Sequence, residues 1–104
     1  MRLIVFASVL LTSSALAHDS WINQLRLTDP MSGQWCCNDM DCEAVPAGGV
    51  AEQQDGYFIA ETREVIAKER VIWKSQDGLW WRCRFMHGEN AGKTRCLIGP
   101  PPNS

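Results

Sequence analysis

The chain has 104 residues, 45% of them hydrophobic, and its 10 basic and 12 acidic side chains leave it close to neutral. At this length one domain is the limit. A doubly wound nucleotide-binding fold, a TIM barrel and any multidomain enzyme are therefore excluded.

Residues 1–17 have the pattern of a cleaved export signal. Arg2 provides a short positive start, an apolar run follows, and Ala15 and Ala17 form a small-x-small cleavage motif. The run is shorter than the ~18–20 apolar residues that cross a bilayer, which disfavours a membrane anchor. We expect a mature chain that begins at His18, has no membrane span and resides in a periplasm or outside the cell, where disulfides persist.

The stretch after the signal predicts a short amphipathic helix. Asp19 or Ser20 would cap it, and residues 28–30 (Thr-Asp-Pro) would stop it. Its apolar side would carry Trp21, Ile22 and Leu25. Residues 31–41 are rich in Gly, Asn and Asp and predict a loop.

Two Asp-Gly pairs predict hairpins. Residues 42–45 form a candidate strand, and residues 50–54 and 57–60 flank Asp55-Gly56, the strongest short hairpin signal in the chain. Asp77-Gly78 separates residues 70–74 from residues 79–85 in the same way. Between the two hairpins, residues 61–70 fit both helix and strand, and we expect one helical turn near 66–69 and then a strand.

Four to six short strands and one N-terminal helix predict a mostly β fold of the α+β type. The expected architecture is a small disulfide-stapled meander or an SH3-like barrel. It would span residues 18–98, and the proline-rich tail 99–104 would run off in an extended conformation.

Five cysteines in an oxidising compartment imply two disulfides and one unpaired thiol, with 15 possible arrangements. A hairpin closed by residues 87–92 would place Cys83 directly opposite Cys96, within bonding distance, so we expect that bridge. Cys42 would then pair with Cys36 or Cys37. The same register sets Arg84 against Arg95, a like-charge pair that points weakly to an anion site.

Metal binding is an alternative use of some of these residues. Cys36, Cys37 and Cys42 offer three soft ligands, although they lack the paired C-x2-C spacing of structural zinc sites. An N-terminal His18 could chelate copper through its amine and imidazole, and this terminus resembles the copper brace of exported copper proteins. His87 would supply the second imidazole. We expect no cofactor, with copper or zinc as the alternative.

Enzymatic chemistry has little support in the sequence. With two histidines and no nucleophile elbow, phosphate loop, HExxH or C-x-x-C motif, the chain offers no catalytic constellation beyond a hypothetical pair of Cys36 or Cys37 with His87. We expect a non-enzyme.

Recognition of a macromolecule is the remaining class. Five tryptophans are many for this length, and strand alternation would turn Trp80 outward beside Arg82 and Arg84. Trp80 with Arg82, Arg84 and Arg95 could stack on a sugar ring or a peptide, or hold an acidic partner. The alternative is that the helix or the proline tail covers Trp80.

The charges are divided unevenly along the chain. Residues 18–61 carry eight acids and one base, whereas residues 62–104 carry four acids and eight bases. We expect the two halves to pair with each other across one domain. A net charge of −3 after signal removal disfavours free nucleic acid as a partner.

The cysteine and tryptophan pattern, WCC-x4-C, then DG-x-WW-x-C, then RC-x3-PP, resembles short exported bacterial proteins of unknown function. The stretch around Asp77-Gly78 also resembles, over a few residues, the hairpin of bacterial SH3-like domains. Neither resemblance implies a catalytic residue. The expected function is a small exported interaction or envelope-associated module, with an envelope protein or cell-wall glycan as partner. The alternative is a periplasmic metal-binding protein.

Overall fold

A computed structural model describes residues 20–36 and 39–102 of the chain. One short helix and seven strands form a mostly β structure, which confirms the predicted fold class. The predicted signal, residues 1–17, lies outside the described residues. No helix within the described ranges is long and apolar enough to span a membrane.

Helix α1 (Trp21–Leu25) begins where Ser20 caps it, because the Ser20 hydroxyl accepts a hydrogen bond from the backbone N–H of Ile22 at 3.1 Å. The helix ends earlier than the sequence predicts. Arg26 adopts a left-handed conformation (φ 51°) and stops the helix before residues 28–30.

The strands form two open sheets, and neither closes into a barrel. A four-stranded sheet has the order β1 (Cys42–Ala44), β6 (Trp81–Arg84), β7 (Thr94–Ile98), β5 (Val71–Ile72). A three-stranded sheet has the order β2 (Val50–Gln53), β3 (Gly56–Ile59), β4 (Val65–Ile66). Short 3₁₀ turns at Asp39–Asp41 and Lys68–Arg70 precede β1 and β5.

The first predicted hairpin is confirmed and the second is wrong. β2 and β3 pair in an antiparallel hairpin around Asp55. β5 does not pair with β6; β7 lies between them and pairs parallel to β5 and antiparallel to β6. At Asp77-Gly78 the chain forms a loop instead of a hairpin turn. The Asp77 carboxylate stabilises this loop by accepting hydrogen bonds from the Ser75 hydroxyl, the Leu79 N–H and the Trp81 indole N–H.

Both faces of the four-stranded sheet are covered. On one face Cys83, Cys96 and Ile98 pack against α1 and the loop that follows it, and Trp21 meets Trp81 edge to face at 6.0 Å between ring centroids. On the other face Leu97 and Val71 pack against Ile59 and Ile66 of the second sheet. Alternate residues of β7 therefore serve two separate cores.

The expected pairing of the two charge-divided halves is confirmed. Every ion pair of the described residues joins an acid from 18–61 to a base from 62–104. The pairs are Glu52 with Lys68, Asp29 with Arg70, Glu43 with Arg82 and Arg84, and Glu61 with Arg82.

The expected bridge between Cys83 and Cys96 is wrong, although the register behind it is right. Cys83 stands opposite Cys96 on one side and opposite Cys42 on the other. The disulfides join Cys42 to Cys83 and Cys36 to Cys96, so the expected pairing of Cys42 with Cys36 or Cys37 is wrong as well. Because Cys83 lies on an inner strand between two cysteines, the β6–β7 register alone did not decide its partner.

The proline tail also differs from its prediction at its first residue. Gly99 is buried, donates its N–H to the Ile72 carbonyl and accepts from the Ser75 N–H. It therefore continues the pairing with the chain around β5 before the prolines begin.

Candidate functional site

Trp80 is packed and does not form an open binding platform. Its ring lies 5.1 Å from Tyr57 and 5.6 Å from Trp73, centroid to centroid, and it contacts Gly99 closely. Tyr57 of the second sheet, Trp73 and Gly99, the first residue of the predicted tail, thus cover part of its ring.

Arg82 is buried, with 1% of its surface exposed, and serves the fold. One terminal nitrogen donates to the Gly92 carbonyl at 3.0 Å, and the other lies 3.2 Å from Glu61. Arg84 lies 3.8 Å from Glu43, and its Nε is buried without a hydrogen-bond partner among the described residues. The predicted recognition role of Trp80 with these two arginines is therefore not supported by their positions.

The predicted opposition of Arg84 and Arg95 is wrong. A bulge shifts the register after Cys83, so that Arg84 faces Thr94. Arg95 turns instead to the loop after α1: its Nε donates to the Trp35 carbonyl at 2.7 Å, and its guanidinium lies 5.3 Å from the centroid of the Phe85 ring.

The described members of the predicted metal site, Cys36, Cys42 and His87, are not grouped around one point. Cys36 and Cys42 are buried in disulfides and have no thiolate to offer. His87 is exposed on the β6–β7 loop. His18 and Cys37, the other residues of that prediction, lie outside the described residues. In the ranges 20–36 and 39–102 no three His, Cys, Asp or Glu side chains are grouped as a metal site requires.

The structure brings together a different set of residues, in a cleft of about 440 Å³. The cleft lies between the loop after α1 and the bulged end of the β6–β7 hairpin. Its lining contains two acids, two bases and two amides: Asp29, Glu64, Arg70, Lys93, Gln34 and Asn90. Phe85 and Met31 add apolar surface.

Asp29 is held on one side of this cleft by a dense set of hydrogen bonds. Its carboxylate accepts from the N–H groups of Met31 (2.8 Å) and Ser32 (3.2 Å) and from Arg70 Nε (2.9 Å). Burial raises the pKa of Asp29, but these hydrogen bonds and the Arg70 charge outweigh it, and the pKa is lowered overall. Asp29 is therefore ionised and locked in place at neutral pH.

Arg70 ties this loop to the sheet. Besides Asp29, its guanidinium donates to the carbonyls of Thr94 and Arg95, at 3.5 and 3.0 Å. The cleft wall is thus braced by one arginine that spans the loop and β7.

Glu64 is fixed in a similar way from the turn before β4. It accepts hydrogen bonds from the Thr94 hydroxyl at 2.6 Å, the Thr94 N–H at 3.1 Å and the Thr62 hydroxyl at 2.7 Å. Burial raises the pKa of Glu64, but these hydrogen bonds and the charge of Arg82 together lower it by more. The net shift of the pKa is therefore downward.

Comparison with family models, curated proteins and solved structures finds no match for the chain. The resemblance to exported cysteine-rich proteins stays a prediction, and the cleft is interpreted from its own geometry.

No sequence pattern predicts this cleft, because Asp29 fits only a helix stop and Arg70, Glu64 and Thr94 lie in three other segments. The one local signal is Asp-Pro at 29–30, since Asp commonly binds the backbone N–H two residues later at such a turn.

Proposed function

We propose that the protein is an exported, non-enzymatic interaction module that recognises a component of the cell envelope through this cleft. The expected compartment, a periplasm or the cell exterior, is compatible with the two disulfides, since such bonds persist under oxidising conditions.

The observation that carries the proposal is the mixed-polarity lining of the cleft, in which three charged side chains are fixed by hydrogen bonds. Its volume lies within the roughly 300–1,000 Å³ range of ligand clefts, and convergent polar groups with some apolar surface are typical of binding sites. Asp29, Arg70 and Glu64 are each held by several hydrogen bonds, so these three side chains need little ordering when a ligand binds.

The same hydrogen bonds favour binding over acid–base catalysis. A general acid or base works best with a pKa near the working pH. The pKa values of Asp29 and Glu64 are shifted away from neutrality, because hydrogen bonds stabilise their charged forms more than burial disfavours them.

The test is co-sedimentation of the full chain, expressed with its own leader, with purified bacterial cell envelopes. The double variant Q34A/K93A removes two exposed cleft side chains. We expect it to lose about tenfold in binding, the equivalent of about 1.4 kcal/mol. The matched variant Q54A/K74A, outside the cleft lining, should bind as the unsubstituted chain does. Absence of sedimentation, or equal loss in both variants, would overturn the proposal.

A further inference from the structure

The cleft holds polar groups that the fold does not use. Within the part of the chain that the structure describes, the carboxamides of Gln34 and Asn90 and the ammonium of Lys93 make no hydrogen bond or ion pair with the protein. They line the same space as the anchored carboxylates. A ligand can therefore meet both donors and acceptors there.

The anchored carboxylate of Glu64 keeps acceptor capacity. Its Oε1 accepts from the Thr62 and Thr94 hydroxyls, and the Thr94 N–H is shared between Oε1 and Oε2 at 3.1 Å each, so that this shared bond is the single one at Oε2. A carboxylate oxygen can accept two hydrogen bonds. Glu64 can thus accept a further bond from a ligand hydroxyl without losing its partners.

Phe85 gives the same cleft one aromatic side chain. The Arg95 guanidinium lies 5.3 Å from the centroid of the Phe85 ring, and the Nε of Arg95 donates to the backbone carbonyl of Trp35. Aromatic rings offer apolar faces for flat, weakly polar ligand surfaces, and the apolar face of a sugar ring is one such surface.

The charges of the lining balance, because two acids, Asp29 and Glu64, accompany two bases, Arg70 and Lys93. Such a lining does not select a strongly charged ligand of either sign. It also differs from the modes by which extended peptides are commonly bound, which use a free strand edge or an apolar groove. Hydroxyl and acetamido groups, which donate and accept, match it best.

We propose that the cleft binds a neutral N-acetylated sugar chain of the kind found in cell-wall glycan. The sugar ring lies against Phe85, and Glu64, Gln34 and Asn90 share hydrogen bonds with its hydroxyl and acetamido groups. The inference rests on the proposed function and names the ligand class of the same site.

The probe is N,N′,N″-triacetylchitotriose, titrated into the purified full chain by isothermal titration calorimetry. We expect saturable binding that weakens about tenfold in Q34A/N90A, from the loss of two hydrogen bonds of ordinary strength. Q54A, which changes an exposed glutamine on the β2–β3 turn, is the matched control and should bind unchanged. Thermal unfolding of each variant checks that the fold is retained. We expect it to be, because Gln34, Asn90 and Gln54 are all exposed.

A second arm separates this inference from the proposed function. Protease-treated, protein-free peptidoglycan sacculi should sediment the chain and should compete with chitotriose. Binding to whole envelopes without binding to sacculi or to chitotriose would overturn the glycan inference and leave the interaction module standing. Absence of binding to envelopes, to sacculi and to chitotriose would overturn both the glycan inference and the proposed interaction function.

Discussion

Arg82 and Arg84 stand two residues apart on β6 and have different environments. Arg82 is buried between the two sheets and bonded to the Gly92 carbonyl and Glu61, whereas the side chain of Arg84 is 30% exposed. Strand alternation predicted that both share one face, and they do. That this face is covered could not be predicted, because the cover comes from residues 50–66, in a separate sheet.

Arg82→Met should destabilise the domain by about 2 kcal/mol. The change keeps most of the side-chain volume but leaves the Gly92 carbonyl without its donor, and a hydrogen bond from a charged group contributes about 1.5–3 kcal/mol. Arg84→Met should cost less than about 1 kcal/mol, as partly exposed ion pairs do. Urea unfolding measures both, and equal losses would contradict the structural role of Arg82.

Glu64 should make stability depend on pH in the acidic range. Its folded-state pKa lies below the ordinary value of 4.5, so the unfolded chain binds its proton first as the pH falls. The contribution of Glu64 to the free energy of unfolding is therefore complete above about pH 5 and is lost as the pH falls through the lowered pKa. The free energy of unfolding, measured by urea titration from pH 7 to 3, should fall with acidification.

Glu64→Gln should lower stability at pH 7 and flatten this acid dependence. Glu69→Gln, on the exposed 3₁₀ turn, is the matched control and should keep the slope of the unsubstituted chain. An unchanged slope in Glu64→Gln would show that Glu64 makes no such contribution.

At the level of elements, the two Asp-Gly pairs show which features of a strand the local sequence predicts and which it does not. Both mark places where the chain turns, and the first forms the β2–β3 hairpin as predicted. The second precedes a strand, β6, whose partners come from residues 42–44 and 94–98. A turn depends on local residues and can be predicted from them, whereas the pairing of a strand depends on how buried faces from distant segments pack together.

The two aspartates should respond differently to the same substitution. Asp77→Ala removes acceptors for Ser75, Leu79 and the Trp81 indole and should cost about 1–3 kcal/mol. For a domain of this size that is a fall in Tm of roughly 4 °C or more. Asp55→Ala, on an exposed hairpin turn, should cost clearly less. Equal shifts in thermal unfolding would indicate that Asp77 is only a turn residue.

Across the whole molecule, the strand register of the cysteines could be predicted from the sequence, whereas their disulfide pairing could not. The sequence predicted the alignment of Cys83 with Cys96, because hairpin register follows from loop length and strand pattern. The bonds depend on β1, which pairs with β6 in the same sheet, and on the loop after α1, which packs on a face of that sheet. The bonded cysteines are 41 and 60 residues apart in the chain. No local pattern specifies such distant partners.

Peptide mapping under non-reducing conditions should recover Cys36 linked to Cys96 and Cys42 linked to Cys83. Replacing either pair with serine should cost roughly 4 kcal/mol, since both bonds close long loops in the unfolded chain. Single replacements that leave a partner thiol would confuse the comparison, so both cysteines of a pair are changed together. A fragment joining Cys83 to Cys96 would contradict the structure.

The position of β7 has a consequence for how the native bonds can form. It is an inner strand of the sheet, and it is the last strand in the described chain. During synthesis, helix α1, β1 and β6 all emerge before the strand that joins β6 to β5. An oxidant that acts before residue 96 is available meets Cys36, Cys42 and Cys83 while the native partner of Cys36 does not yet exist. Correct oxidation of Cys36 must therefore wait until the chain is complete to β7, or rely on later exchange of early, incorrect bonds.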